Sequence, residues 1–402
     1  MIPAYILDGV RTPRASVRKS NSLYTGVHPQ ELFAQTLSGL ASRPKFNGDD
    51  VESLYVGCVT QVKEQGANLA RNAALSAGWP VSVPAMTLNM YCGSALQAIN
   101  LAAMAVMSGS MHLAVGGGVE SMSRVPMFSD GAELDGLNPA LRKRWKQVPQ
   151  GISADLLATQ ENFSRAELDD FSLQSHKKAV AAIEARRFDN SLTYIKDGDG
   201  TVLLKEDNHA RADTSMAKLA DLKPAFVEMG REYDGIALER FKDIKEIRHV
   251  HTAGSSSGIA DGAAAVAICS ADYALANGIK PRALVRSVSA IGSDPILMLT
   301  GPTVCSIRAL EKAGLEASDI QLWEINEAFA AVPLQTMKNL GIAPEIVNVN
   351  GGAIALGHPL GATGGILLLT LLDEMERRDL QLGAVTLCIA GGQSVAAVIE
   401  RV

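Results

Sequence analysis

The chain has 402 residues, 47% of them apolar and 20% charged, with a formal net charge of −6. That length allows two or three domains with substantial cores, and that balance excludes a disordered chain. It offers no large basic field, which argues against nucleic acid as the main partner.

Five cysteines stand at positions 58, 92, 269, 305 and 388, an odd number with no CxxC. This speaks for a reducing compartment, and so for a cytoplasmic location, and against a disulfide framework or a standard zinc site. The strand-like Ala4-Tyr-Ile-Leu-Asp8 near the start leaves no room for a signal peptide. Asn100, Ser108 and His112 interrupt the uncharged run around Leu101, which therefore reads as a buried helix and not a membrane span.

In chain order the pattern predicts strand Ala4–Asp8, helix Pro29–Leu40, strand Leu54–Cys58 and strand Ala85–Asn89. A sharp Cys-Gly-Ser turn at Cys92 follows. Then come helix Ser94–Met107, rich in Ala, Leu and Met, and strand His112–Val115, ending in Gly116-Gly-Gly118. No Asp, Glu, Lys or Arg lies between Arg71 and Glu120, so most of this stretch belongs inside the fold.

From Glu120 to about Ile247 the character changes. The segment is charged and holds the basic run Arg142-Lys-Arg-Trp-Lys146. It also holds an amphipathic helix, Arg165–Arg187, started by Ser164 with Glu167 three residues on. It reads as an inserted, more exposed loop domain. The basic run reads first as a solvated face, with contact to a phosphate-bearing ligand as the alternative.

Past the insertion, Gly254-Ser-Ser-Ser-Gly258 precedes a predicted helix, Asp261–Ile268. The last third offers strand Ala283–Val288, helix Val304–Ala313, strand Gln321–Ile325 and strand Ile346–Asn350. A Gly-rich turn with His358, helix Gly365–Met375 and strand Val385–Ile389, ending in Ala390-Gly-Gly392, complete it. Both ends thus run β-α-β-β-α-β, an internal duplication. The class is α/β, with a mostly parallel sheet covered on both sides. Residues 1–120 with 248–273 form the first half, 121–247 the loop domain and 274–402 the second half.

Several constellations could do chemistry. Cys92 begins a buried helix, whose dipole and free N–H groups lower a thiol pKa; its rival role is apolar filler. Asn326 and Glu327 end a strand, where α/β sheets place sites. His358 lies in an uncharged run from Glu345 to Asp373, which favours its neutral form; a structural histidine is the rival. Cys388 ends another buried strand. Gly254-Ser-Ser-Ser-Gly258 fits the nucleophile elbow of a serine hydrolase using Ser256 and His358. Zinc on the cysteine–histidine trio is disfavoured because no two ligands are near in sequence. Two cysteines and a histidine suit acyl transfer better. One cysteine carries the acyl group, the histidine activates it, and the second moves a proton at carbon, a task for a thiol of pKa about 8.5.

Asn89-Met-Tyr-Cys-Gly-Ser-Ala-Leu-Gln-Ala98 resembles the nucleophile motif of thiolases. Asn326-Glu-Ala-Phe-Ala330, Asn350-Gly-Gly-Ala-Ile-Ala-Leu-Gly-His-Pro359 and Cys388-Ile-Ala-Gly-Gly392 are similar to the other three active-site motifs, in the same order. Thr252-Ala-Gly-Ser-Ser-Ser-Gly-Ile-Ala-Asp-Gly262 resembles the pantetheine-contacting loop, which displaces the serine-hydrolase reading.

The resemblance implies a five-layered αβαβα fold of two similar halves plus a loop domain. It further implies a homodimer or homotetramer, CoA thioesters as substrates with no separate cofactor and no metal, and admits a β-oxidation partner enzyme. Carried over, Cys92 is the acylated nucleophile and His358 its activator. Asn326 holds a water that binds the thioester oxygen together with the His358 N–H. Cys388 is the acid/base at the α-carbon. Backbone N–H groups of Cys92 and Ala390 make a second oxyanion hole, and Arg211, Ser257 and Phe329 contact CoA. The implied reaction is thiolytic cleavage of 3-ketoacyl-CoA or the reverse condensation. The alternative is a non-catalytic thiolase-like subunit that binds acyl-CoA or scaffolds a partner.

Some residues depart from the family pattern. Ala390 stands where many members have Gly, and a positive φ there would be strained. Gln393 occupies a usually apolar place, and Ala95 replaces a common Gly. Pro149-Gln-Gly-Ile-Ser-Ala-Asp155 lies where the family usually has His-Met-Gly, which leaves the acyl-chain preference open.

Overall fold

The duplication is present, with one more helix in each copy than the sequence pattern suggests. The computed structural model describes residues 2–402. Its strands are β1 (Ala4–Arg11), β2 (Ala15–Ser16), β3 (Ser53–Gly57), β4 (Ala85–Leu88), β5 (Leu113–Glu120), β6 (Ala260–Ser270), β7 (Ala283–Gly292), β8 (Leu322–Ile325), β9 (Leu382–Ile389) and β10 (Gln393–Arg401). They hydrogen-bond in the order β4-β3-β5-β6-β1-β7-β10-β9-β8, with β2 beside β6. The first copy is β4-β3-β5-β6-β1 and the second is β7-β10-β9-β8. They join where Tyr5 and Ile6 pair with Leu284 and Ala283. The sheet is mixed and not mostly parallel: β3 runs parallel to β4 and β5, and β8 to β9, while all other pairs are antiparallel.

Helices Leu69–Ser76 and Ala331–Leu340 are the elements the pattern did not reveal, so the first copy runs β-α-β-α-β-α-β-β and the second follows the same order without its third strand. Two further expectations change. The stretch expected as strand Ile346–Asn350 makes a single turn, Pro344–Ile346, and one parallel bridge, Val347 to Trp323, where the first copy has β4. Pro344 lacks an N–H, and Asn348 turns back at φ 45°. Its side-chain amide bonds both the N–H and the C=O of Ile325, each at 2.8 Å, in place of a backbone ladder.

The Ala-rich stretch expected as helix Asp261–Ile268 is the fully buried strand β6, held between β5 and β1. Helix propensity is a weak prior, and here burial on both faces overrides it. Alanine is small enough to let neighbouring elements close in. A Cβ on Gly117 would come within 2.2 Å of Ala264 O.

Five layers follow from the cores. Leu32, Phe33, Leu37 and Leu40 of helix Pro29–Ala41 pack on one face of the first copy's strands. Helices Ser94–Met107 and Thr363–Arg378 lie together between the copies. Leu96, Ile99 and Val106 meet Ile366, Leu369 and Leu372 there, with Ala264 and Val266 of β6 and Leu387 and Val395 of β9 and β10 around them. Helices Gly301–Ala313 and Ala331–Leu340 cover the far face through Cys305, Leu310 and Met337. The result is αβαβα.

Between β5 and β6 lie helices that include Gln150–Gln160, Arg165–Glu184 and Val227–Arg240. The second carries the expected capping box of Ser164 and Glu167 and stops at Glu184. Among the described residues no helix is long and apolar enough to cross a membrane.

Candidate active site

β4 runs into a turn locked by its own side chains. Asn89 accepts from the Tyr91 N–H at 2.8 Å and donates to Val59 O, and Ser94 Oγ bonds Met90 N and Tyr91 O. Tyr91 sits at φ 44°, a conformation that costs a bulky residue roughly 1–2 kcal/mol. This strained step presents Cys92, 3% exposed, at the start of helix Ser94–Met107. Gly93 lets the turn sit close: a Cβ there would come within 2.4 Å of Ile389 Cδ1. The nucleophile turn is thereby pressed onto the end of β9.

Burial raises the Cys92 thiol to about 12, and the nearby Glu120 carboxyl adds to the rise. Its own N–H, the Ala390 N–H and the Gln150 side chain face the sulfur and act the other way. The expected lowering by the helix start is therefore outweighed by desolvation.

His358 follows Gly357, at φ 95°, and its backbone N–H donates to Gly258 O at 2.7 Å. Its ring is 4% exposed, and burial, with Arg14 nearby, lowers it to about 3. The imidazole is neutral, as expected. Thr363 Oγ1 gives its one hydrogen to Pro359 O at 3.0 Å, so His358 Nδ1, 2.6 Å from the same hydroxyl, must be the donor. Nε2 is then the bare nitrogen, 3.4 Å from Asn326 Nδ2. Asn326 is 1% exposed and its Oδ1 has no partner among the described residues, which suits an amide that holds a water.

Leu360, two residues past His358, packs against Cys92. The loop is tied to the first copy through Gly361 N, which donates to Glu120 Oε2 at 2.9 Å. Gly118 is needed for that approach, since a Cβ on it would lie 2.0 Å from Gly361 O.

Cys388 is fully buried near the end of β9. Burial, and then the neighbouring Cys92 sulfur, push it well above the ordinary thiol range. The expectation of a pKa near that of a free thiol thus fails for the protein alone. Ala390 is not in the left-handed region; Gly391 and Gly392 absorb the turn at φ 75° and 77°. The anticipated strain at Ala390 is absent, and its N–H faces Cys92. Beside Cys92 and Ala390 opens a cavity of about 230 Å3, also lined by Thr60, Phe128, Leu134 and Gln150.

The remaining candidates lie elsewhere. Ser257 N donates to Ala328 O at 2.9 Å and Ser256 bridges to Phe329, so Ser257 and Phe329 belong to one small unit. The Phe329 ring stands edge-on to His251 and Phe226. Arg211 is exposed and lines a separate surface pocket with His176 and Lys177. Ser256 Oγ donates to Thr252 O at 2.8 Å, and a strand, not a helix, follows it. A nucleophile elbow needs the helix. Glu327 is structural: it accepts from Ser175 Oγ, Asn348 Nδ2 and Ile354 N. In the basic run, Arg142 pairs with Asp135 and Glu133, and Lys146 with Glu239. Among the described residues no cluster of three or more His, Cys, Asp or Glu is placed to hold a metal ion.

Thr363, Glu120 and Gln150 are the site residues that sequence reasoning passed over. Thr363 follows His358 by five positions in the same uncharged run, a spacing that signals nothing until the Gly-rich turn folds back. Gln150 lies in the stretch that replaces the usual motif, and this departure was the available signal.

Comparison with known proteins places this geometry. Residues 4–237 match the family model "Thiolase, N-terminal domain" and residues 279–401 match "Thiolase, C-terminal domain". A 3-ketoacyl-CoA thiolase of Serratia proteamaculans is 42% identical over 404 residues, covering 99% of each chain. One of Escherichia fergusonii is 41% identical over 406 residues at the same coverage. The crystal structure of the Bacillus anthracis acetyl-CoA acetyltransferase superimposes with a TM-score of 0.86 at 34% identity, over 100% of this chain and 99% of that one.

Proposed function

Because this chain belongs to the thiolase family, we propose that it cleaves 3-ketoacyl-CoA with CoA to acyl-CoA and acetyl-CoA. The reverse Claisen condensation uses the same acyl-Cys92 intermediate. What supports the reading is the Cys92 sulfur, faced by the Ala390 N–H at one cavity and neighboured by Cys388, with His358, paired to Asn326, two residues before Leu360, which packs on Cys92.

Both groups rest uncharged, a neutral thiol at Cys92 and a neutral imidazole at His358. Bare Nε2 takes the Cys92 proton as the sulfur attacks the 3-keto carbon. The N–H groups of Cys92 and Ala390 receive the oxyanion. As it collapses, the C2–C3 bond breaks and its electron pair forms the enolate of acetyl-CoA. The proton now on Nε2 makes His358 a donor, so it and the Asn326-held water stabilise that enolate oxygen. Cys388 protonates the carbon. It then takes a proton from incoming CoA, whose sulfur displaces the acyl group from Cys92, and His358 returns its proton to the Cys92 thiolate. Because Cys388 is raised by burial, its proton transfers are coupled to the bound thioester.

Arg211 is assigned to the nucleotide end of CoA, and Ser257 and Phe329 to the pantetheine arm. Residues 121–247 act as the loop domain between a first half of 1–120 with 248–273 and a second half of 274–402. We take CoA thioesters as the substrates with no resident cofactor. The working form is a homodimer or homotetramer in the cytoplasm, serving lipid metabolism. Nothing in the site favours a non-catalytic subunit. The test is CoA-dependent cleavage of a panel running from acetoacetyl-CoA to long and ring-bearing 3-ketoacyl-CoA. Turnover of at least one member is expected; a folded protein inert on the whole panel would sink the reading.

A further inference from the structure

Phe128 and Leu134, which line the cavity beside Cys92, also line a second of similar size, bounded by Gln147 and Tyr233. Its wall is not uniformly apolar. Gln150 Nε2 is buried and has no hydrogen-bond acceptor of nitrogen or oxygen among the described residues, yet its amide faces the Cys92 sulfur. An unpaired buried amide is costly, and folded proteins keep few of them without a reason.

Gln150 is also firmly held. Gly151 packs so tightly on Phe226 that a Cβ would come within 2.4 Å of the ring. Ser153 Oγ donates to Ile296 O, and Asp155 accepts the backbone N–H groups of Val250 and His251. Helix Gln150–Gln160 therefore presents its first side chain to the nucleophile from a rigid base. Once Cys92 is acylated, the atoms next to the sulfur are the first few of the acyl chain, within reach of Nε2.

We propose that Gln150 makes this pocket select acyl groups carrying a neutral hydrogen-bond-accepting oxygen just beyond the thioester carbonyl, over alkyl groups of the same length. This rests on the acyl-transfer reading above. A carboxylate in that place is disfavoured, because Asp130 and Glu133 line the same cavity. A site built to hydrogen-bond a substrate atom discriminates against the analogue that lacks it more strongly than an apolar wall can.

The experiment compares methoxyacetyl-CoA with butyryl-CoA, an ether oxygen against a methylene, by the single-turnover rate of Cys92 acylation. The ether activates its own carbonyl, so the quantity read is the rate ratio in wild type divided by that in Gln150→Leu. That quotient should be about tenfold, one hydrogen bond's worth of discrimination. The nearly isosteric Gln150→Met should reproduce it and keeps the test available if the leucine variant fails to fold. An unchanged ratio in the folded variant, with wild type labelled by both thioesters, overturns this inference alone. Wild type that neither these thioesters nor acetyl-CoA labels overturns the acyl-transfer reading and this inference with it.

Discussion

The two copies of the duplicated unit offer the same positions for chemistry and use them differently. The loop that enters the central helix carries Cys92 in the first copy and His358 in the second. The end of β3 leads to Cys58, Val59 and Thr60, and the end of its counterpart β8 leads to Asn326. The end of β5 holds Glu120, and β9 carries Cys388. In the first copy the strand ends are spent on holding the site together. Glu120 accepts from Val59 N, Thr60 N, Gln65 Nε2 and Gly361 N, between 2.9 and 3.2 Å. In the second copy the equivalent ends leave reactive atoms facing the site. Duplication supplies symmetric places, and the side chains divide them into frame and chemistry.

The division predicts that substitutions at the strand ends of the second copy change rates while those at the strand ends of the first change stability. The largest effect is expected at Cys388. Cys388→Ser should lose condensation by ~10²-fold or more, the usual scale of a general acid–base contribution, while still exchanging acyl groups onto Cys92. Deuterium exchange into the acetyl-CoA methyl group, followed beside acylation, separates the two. Exchange at the wild-type rate would assign the base to another residue.

Glu120→Ala should act on stability. It strands four buried donors at once, for a loss of about 2–4 kcal/mol in urea unfolding. A variant with wild-type stability would show that the first copy's strand end is not frame. Smaller still is Arg211→Ala, which should raise KM for CoA severalfold with little change in kcat, because it removes uniform binding at a remote phosphate. The defect should shrink with a truncated pantetheine substrate; an equal defect there would move Arg211 away from the nucleotide end.

Much of this division is legible in the sequence, for physical reasons that also mark its limits. Strand β9 and helix Ser94–Met107 announce themselves by uncharged, patterned runs. The reactive cysteines and His358 stand out because they interrupt such runs. β6 reads as a helix because Ala263, Ala264 and Ala265 carry helix propensity, and only burial on both faces makes them a strand. The counterpart of β4 reads as a strand because Asn348 replaces ladder bonds with its side chain, which no periodicity records. The direction of the Cys92 pKa shift is hidden in the sequence for a related reason. A helix start is visible in sequence, but the depth of burial that outweighs it depends on how the two copies close. Thr363 and Gln150 gain their roles only through that closure.

If the proposed chemistry holds, Cys92 alone carries the acyl group, supported from the second copy. The most direct measurement is brief incubation with acetyl-CoA, quenching in acid and peptide mass analysis of wild type, Cys92→Ala and Cys388→Ser. The acetyl mass should appear on the Cys92 peptide in wild type and Cys388→Ser, and on no peptide in Cys92→Ala. Acetyl on Cys388, or labelling that survives Cys92→Ala, would contradict the account.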